Sequence, residues 1–332
     1  MLSKKEIEEL IHQIEPLENL ALHNDADGIA SAVLLSYALK IKKVFSPADF
    51  GVWELKPWKV QGSSEVVIPP DACVDMIPQN PDWPGKLCID HHPGHVPEAE
   101  RKYRLIHGDV PTTVIVYNIF KDLIPREQRW KVAVGAVGDG QPEVVPPEIW
   151  TEFPELLETT ETVWTQYNNF KGIGRFPLFL RLSSPINASC RIPDKWFVGY
   201  SVLRNAKSPL DIVNDSALIS AKDYVDREEG RLLKDNFMVV LRNGVRLVKV
   251  ESEYTMERSL AFKFEQHDKT TTIVVNEKTN RGSIRGVLST LLYNYLQTNG
   301  FKASGHPGFG GIKLDANQTF DDLYKVLIKL KI

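Results

Sequence analysis

Apolar positions fall at two periods along the first two-thirds of the chain. Ile7, Leu10, Ile11 and Ile14 recur at helical spacing behind Ser3-Lys4-Lys5-Glu6, which has the form of a capping box. Short apolar runs at Asn19–Leu22, Ala72–Val74 and 87–89 predict buried strands. Residues 28–40 and Thr112–Phe120 predict helices, and 131–137 fits a buried helix or a strand equally. Strands alternating with helices imply an α/β domain with a mainly parallel sheet, whose ligands sit at the carboxyl ends of the strands. From 141 to 210 the texture turns Pro- and Trp-rich, and 218–233 then predicts a connecting helix. Beyond it, 237–241 and 245–250 flank the turn signal Arg242-Asn243-Gly244. With a strand at 271–275 and helices at 286–299 and 320–330, this end predicts a smaller α+β domain. The expected organisation is a first domain over 1–208, a helical linker over 209–236 and a second domain over 237–332.

Composition narrows the class. The chain has 332 residues, 42% hydrophobic and 25% charged, enough for two cores. No apolar run approaches the ~18 residues of a membrane span, and the amphipathic start is not a signal peptide. The expectation is a cytoplasmic protein without membrane contact. Cys73, Cys88 and Cys190 are odd in number and widely spaced, so reduced thiols are expected rather than a disulfide framework or a Cys-zinc site. The net charge of −3 is unevenly spread: residues 237–332 carry 14 Lys+Arg against 9 Asp+Glu. Residues 171–207 hold seven basic residues and one acid, Asp194. A polyanion gripped by this middle and end, or a plain solvated basic surface, accounts for that bias.

The candidate chemistry sits in the acidic front. His23, Asp25 and Asp27 occur in His23-Asn24-Asp25-Ala26-Asp27-Gly28, after the first strand. Spacing of two in an extended segment puts the three side chains on one side, a crowding that calls for a cation. Gly28 is then expected to turn the chain into a helix. Asp75 follows the second strand, Asp90-His91-His92 the third, and Asp139 closes the apolar run at 131–137. For this composition, chance gives an Asp-His-His triplet roughly 0.01 times. Oxygen and imidazole donors without thiolate suit Mn²⁺ or Mg²⁺ better than structural zinc.

These residues resemble the four motifs of the DHH phosphoesterase superfamily. The resemblance implies two divalent cations, Mn²⁺ first and Mg²⁺ second. It places His23, Asp25 and Asp75 on one cation and Asp27, Asp75, His91 and Asp139 on the other, with Asp75 bridging. His92 is then expected to face the substrate phosphate or the attacking water, supported by Asp90. Asn187-Ala188-Ser189-Cys190-Arg191 is similar to the NAxGR element of RecJ-type exonucleases, with Cys190 in place of glycine. The stretch 303–311 resembles the GGGHxxAAG motif of the DHH-associated domain, departing from it at the first two glycines and at the alanine pair. Ser283-Ile284-Arg285 resembles that domain's Ser-x-Arg phosphate element. Asn187, Arg191, Ser283, Arg285, Gly305 and His306 are thus the expected substrate-binding residues.

The activity so implied is a RecJ-like, single-strand-specific exonuclease that releases nucleoside monophosphates from DNA or RNA. The first domain cuts and the second positions the terminal nucleotide. Two alternatives stay open. One is a phosphodiesterase for short oligoribonucleotides, phosphoadenosine phosphate or a cyclic dinucleotide. The other is an inactive replication or repair scaffold, against which every expected ligand position is filled. No linear motif identifies a protein partner.

Overall fold

The computed structural model describes residues 4–14, 16–46, 58–59, 66–67, 70–78, 81–93, 97–164, 172–241, 244–306 and 308–331. Ser3 of the expected capping box and the turn residues Arg242 and Asn243 lie outside these. The chain divides into two compact units, Met1–Cys190 with Asp194–Lys222, and Arg191–Pro193 with Asp223–Ile332.

The strands of unit 1 are β1 (Asn19–Leu22), β2 (Lys43–Phe45), β3 (Trp58–Lys59), β4 (Val66–Val67), β5 (Ala72–Val74), β6 (Leu87–Asp90), β7 (Arg104–His107), β8 (Thr159–Trp164) and β9 (Gly172–Pro177). Its helices are α1 (Lys4–Ile14), α2 (Ala26–Ala38), α3 (Thr112–Phe120), α4 (Val132–Gly138), α5 (Pro147–Glu152), α6 (Phe179–Arg191), α7 (Trp196–Asn205) and α8 (Pro209–Asn214), and α9 (Ser216–Leu232) runs on into unit 2. Five strands form an all-parallel sheet in the order β2-β1-β5-β6-β7. The order reverses between β1 and β5, which makes the carboxyl ends of these two strands the switch point where ligands bind in open α/β sheets.

Strand alternation divides the core. Leu20, Leu22, Val74, Leu87 and Ile89 face the helices, while Ala21, Cys73 and Cys88 face Met76, Trp83 and Tyr103. Both strand thiols therefore point into an apolar layer, and burial pushes both above the usual thiol range. Residues 26–35 of α2 are all buried, and the helix packs against α3, α4 and α7, so it is apolar all round as an interior helix must be. The ambiguous run at 131–137 is the helix α4. Its small residues allow that close approach: a Cβ at Gly138 would stand 2.7 Å from the Ala26 Cβ. Trp83 packs edge-on against Tyr103, as a loop anchor.

Unit 2 comprises β10 (Phe237–Val240), β11 (Arg246–Val250), α10 (Glu257–Asp268), β12 (Thr272–Asn276), β13 (Arg281–Arg285), α11 (Ser289–Thr298), β14 (Lys302–His306), β15 (Phe309–Lys313) and α12 (Phe320–Leu327). Its mixed sheet runs β10-β11-β12-β13-β15-β14, and the expected hairpin pairs β10 with β11 antiparallel. Leu247, Ile273, Val275, Ile284 and Ile312 on one face pack with Leu292 and Leu296 of α11 and Phe320, Leu323 and Leu327 of α12. The strands β13 to β15 and the helix α10 add to what the sequence pattern predicts. Among the described residues, no helix is long and apolar enough to cross a membrane.

Candidate metal centre

The motif after β1 folds differently from an extended run. Asp25 is the N-cap of α2 and accepts the Gly28 N–H at 3.0 Å, so Asp27 already lies in the first helical turn. The three motif side chains converge because a strand end meets a helix start, not because they alternate along a strand. Gly28 is required by proximity, since a Cβ there would run into the His23 carbonyl oxygen. Two asparagines clamp the loop to α6. Ala26 N–H donates to Asn187 Oδ1 at 2.8 Å, and Asn24 Nδ2 donates to the Cys190 carbonyl at 3.0 Å.

His23 N–H donates to the Val74 carbonyl at 3.2 Å, which brings the end of β1 beside that of β5. Asp75 follows β5 with φ +60°, in the left-handed region, and donates its N–H to the Ile89 carbonyl at 2.9 Å. A non-glycine residue in that conformation persists where the surroundings over-determine it, commonly at functional sites. Its carboxylate is almost fully buried and central: Oδ2 lies 3.3 Å from His23 Nδ1, and Oδ1 lies 3.2 Å from His91 Nε2. His23 Nδ1 is 2.8 Å from Asp25 Oδ2, and His91 Nε2 is 3.2 Å from Asp139 Oδ2. His23 with Asp25 and Asp75 forms one group whose ligand atoms lie within 4.8 Å of one another, and Asp27 with His91 and Asp139 forms another.

The protonation pattern is that of a site short of positive charge. Burial, then the charges of Asp75 and Asp139, push Asp27 well above the usual carboxylate range. Burial by itself would lower His91, but the hydrogen bond and charge of Asp75, then the charges of Asp139 and Asp27, carry it to about 10. His23 is likewise raised, with Asp25 and Asp75 outweighing burial. The imidazoliums do here what a cation does, and oxygen and imidazole donors at these separations fit hard or borderline divalent ions. His92 sits at the edge of this cluster, its Nδ1 2.8 Å from Asp90 Oδ1 and 3.9 Å from Asp75 Oδ1. Burial opposes its protonation, but Asp90 and Asp75 prevail and raise it.

Two threonines were not singled out by their sequence context. Asp27 Oδ2 accepts the Thr112 N–H at 2.7 Å, and Asp27 Oδ1 accepts the Thr113 N–H at 3.0 Å together with its hydroxyl. The N-cap of α3 is Pro111, which offers no side-chain acceptor, so Asp27 caps α3 from another element. Thr112 Oγ1 donates to Asp75 Oδ1 at 3.1 Å. The one signal for this was Pro-Thr-Thr at the start of an apolar helix without a cap of its own.

In unit 2 the register sets Arg285, Phe309 and His306 in one cross-strand row, and Ser283, Gly311 and Ser304 in the next. Gly305 falls in the alternate row with Gly310 and Ile284, on the other face. A Cβ at Gly305 would stand 2.5 Å from the Gly310 Cα, so the glycine permits close approach of β14 to β15. Arg191 ends α6 and its carbonyl accepts the Thr255 N–H at 3.1 Å. Burial alone would raise Glu229 of α9, but the charges of Arg191 and Lys263 hold it down. Lys171 of the basic strip lies outside the described residues.

No family model and no curated protein matches the sequence. Solved structures do match. The chain is similar to exonuclease RecJ bound to manganese, with TM-score 0.64 and 14% identity over 99% of this chain and 94% of that one. It is similar to the DHH domain of a member of a family of ribosomal proteins, with TM-score 0.62 and 13% identity over 99% of this chain and 90% of that one. CDC45 from Entamoeba histolytica gives TM-score 0.57 and 11% identity over 98% of both chains. The chain therefore has the fold of the DHH superfamily. Its form of that fold is RecJ-like, a parallel-sheet unit followed by a smaller mixed one.

Proposed function

We propose that the chain is a metal-dependent phosphoesterase that removes nucleotides from the ends of single-stranded DNA or RNA. The observation that supports this best is Asp75 at the switch point of the sheet, whose two carboxylate oxygens reach His23 of one ligand group and His91 of the other. On this reading His23, Asp25 and Asp75 hold one divalent cation, and Asp27, Asp75, His91 and Asp139 hold the second, with Mn²⁺ the first candidate. Cations bound there supply Lewis-acid polarisation of a phosphoryl group and acidify a water.

The protein's own groups do the rest. Asp90 takes the Nδ1 proton of His92 into a hydrogen bond and so fixes which ring nitrogen faces outward. Asp90 and Asp75 favour the charged form of His92, which offers Nε2–H to a phosphoryl or leaving-group oxygen. Thr112 Oγ1 donates to Asp75 Oδ1 and orients that carboxylate. Asn187, through Ala26, keeps the 23–28 loop in place. Ser283 and Arg285 of unit 2 hold the substrate phosphate.

The test is a time course with Mn²⁺ on single strands labelled at either end, beside a trinucleotide, a cyclic dinucleotide and phosphoadenosine phosphate. Laddered loss of long strands supports the exonuclease, and the label gives its polarity. Turnover of the small ligands alone replaces it with the small-substrate phosphodiesterase. Metal binding with no turnover of anything leaves an inactive scaffold.

A further inference from the structure

One of the departures from the motif resemblance lies on the polar face of the unit 2 sheet. Where the GGGHxxAAG pattern has its first alanine, this chain has Phe309. The residue lies on β15 directly opposite Arg285 of β13. The Arg285 guanidinium carbon stands over the ring, 4.9 Å from its centroid. Yet Phe309 is 40% exposed, whereas an aromatic present only to cover the arginine would itself be buried.

Arg285 in turn is an incompletely answered cation. Its Nε is buried and has no hydrogen-bond partner among the described residues. Burial and the neighbouring Arg258 lower the guanidinium to about 9, with Glu265 the opposing charge. A half-buried guanidinium with a buried donor unused and a second arginine nearby is deficient in negative charge, and phosphate is the anion its fork geometry fits. The surrounding backbone is pinned. Gly286, at φ +117°, donates its N–H to the Gly308 carbonyl at 3.0 Å, which ties the turn after β13 to the turn between β14 and β15. A Cβ at Gly286 would meet Thr271 Oγ1 at 2.6 Å. The next residue, Val287, is 89% exposed, an apolar side chain that folding leaves unused.

We propose that Phe309 is the base-stacking residue of a nucleotide site on unit 2, with the phosphate of the same nucleotide on Arg285. This inference rests on the phosphoesterase reading and adds to it a specificity residue particular to this chain. A phosphate site alone accepts any phosphorylated end, whereas an aromatic ring beside it makes the site prefer a phosphate that carries a flat base. Stacking is sequence-tolerant, so the preference is for a base as such rather than for one base.

The test uses the full chain in chelator, so that no turnover intervenes. Adenosine 5′-monophosphate, ribose 5-phosphate and inorganic phosphate are titrated by calorimetry. The wild type is expected to bind the nucleotide about tenfold or more tighter than the sugar phosphate. Phe309→Ala brings that ratio to about one while ribose 5-phosphate binds as before, Phe309→Trp keeps the ratio, and Arg285→Ala weakens both ligands. A wild-type ratio of one, or a ratio unchanged in Phe309→Ala, overturns the stacking role. Binding of none of the three ligands overturns the whole nucleotide site. Failure of the phosphoesterase reading shows separately, as absence of hydrolysis with Mn²⁺ in the end-labelled assay.

Discussion

Removing Asp27 in the absence of metal discriminates between two reasons for burying a carboxylate. Asp27 is fully buried, and both its oxygens accept backbone N–H groups at the start of α3. Asp27→Ala leaves the Thr112 and Thr113 amides without that acceptor. The Thr113 hydroxyl still reaches the Asp27 backbone carbonyl at 3.2 Å and Ser31 Oγ at 3.1 Å, so two donors are orphaned rather than three. Each buried unsatisfied donor costs about 1–3 kcal/mol. Against this stands the relief of a carboxylate that burial, Asp75 and Asp139 disfavour. The net expectation is a loss of about 2–4 kcal/mol, a mutational penalty toward the larger end of the usual range. Asp27→Asn keeps one acceptor but turns an NH₂ toward the other amide, and it falls between.

All seven tryptophans lie between Trp53 and Trp196, inside unit 1, so their fluorescence in urea follows that unit. At a slope of about 2–3 kcal/mol per molar urea, the Asp27→Ala midpoint falls by roughly 1 M in chelator. A carboxylate kept solely to bind a cation predicts the opposite sign, because the metal-free protein then gains by losing a crowded charge. An Asp27→Ala midpoint equal to or above the wild type in chelator therefore refutes the capping argument.

The remaining predictions use the same readout. Asp75→Gly suits φ +60° and Asp75→Val does not, so the glycine variant is expected to be the more stable by about 1–2 kcal/mol; equal midpoints remove the backbone argument. Both variants, and Asp75→Ala, should be inactive with Mn²⁺, and an active one ends the bridging assignment. Asn187→Ala frees the Ala26 N–H and should weaken Mn²⁺ binding roughly tenfold, measured from the spin-resonance signal of free Mn²⁺; unchanged affinity denies the clamp a role at the site. Burial, then Arg204, lowers Lys131 to about 7. An unfolded lysine keeps its proton to about 10.4, so between those values the unfolded chain binds more protons and stability rises with pH, by up to about 5 kcal/mol. Lys131→Met should flatten that rise, and an unaltered slope assigns it to other groups.

The three central strands β1, β5 and β6 were legible because they are short apolar runs buried on both faces, and the metal-centre motifs because each begins where an apolar run stops; the partly exposed edge strands β2 and β7 were not. What the sequence did not convey was direction. Asp27 takes its orientation from a helix that starts two residues earlier than periodicity places it, because the Asp25 cap overrides the apparent role of Gly28 as the turn. The α3 cap was invisible for a related reason. Capping patterns are local, whereas the acceptor for Thr112 and Thr113 lies 85 residues and more up the chain. In unit 2 the glycine-rich stretch suggested one phosphate cradle. Two-residue alternation instead divides it between faces, with Arg285 and Phe309 on one and Gly305 on the other.

That division of labour within Asp27 bears on how folding and metal loading are coupled. Its two oxygens already serve α3, and the carboxylate still belongs to the group with His91 and Asp139. A cation drawn to this group meets a ligand whose position is set by helix packing rather than by the ion. A Cβ at Gly135 of α4 would press on the Thr113 hydroxyl and stand 2.5 Å from Asp27 Oδ1, so α4 fixes the carboxylate from its other side. Such a site is built before the metal arrives, and little ordering cost is charged to binding. What binding must displace is protons, because the imidazoles and Asp27 are raised in the metal-free state. Affinity for Mn²⁺ should therefore fall steeply with acid while the fold around the site stays in place. Gly135→Ala should do the reverse, disturbing the ligand positions at every pH.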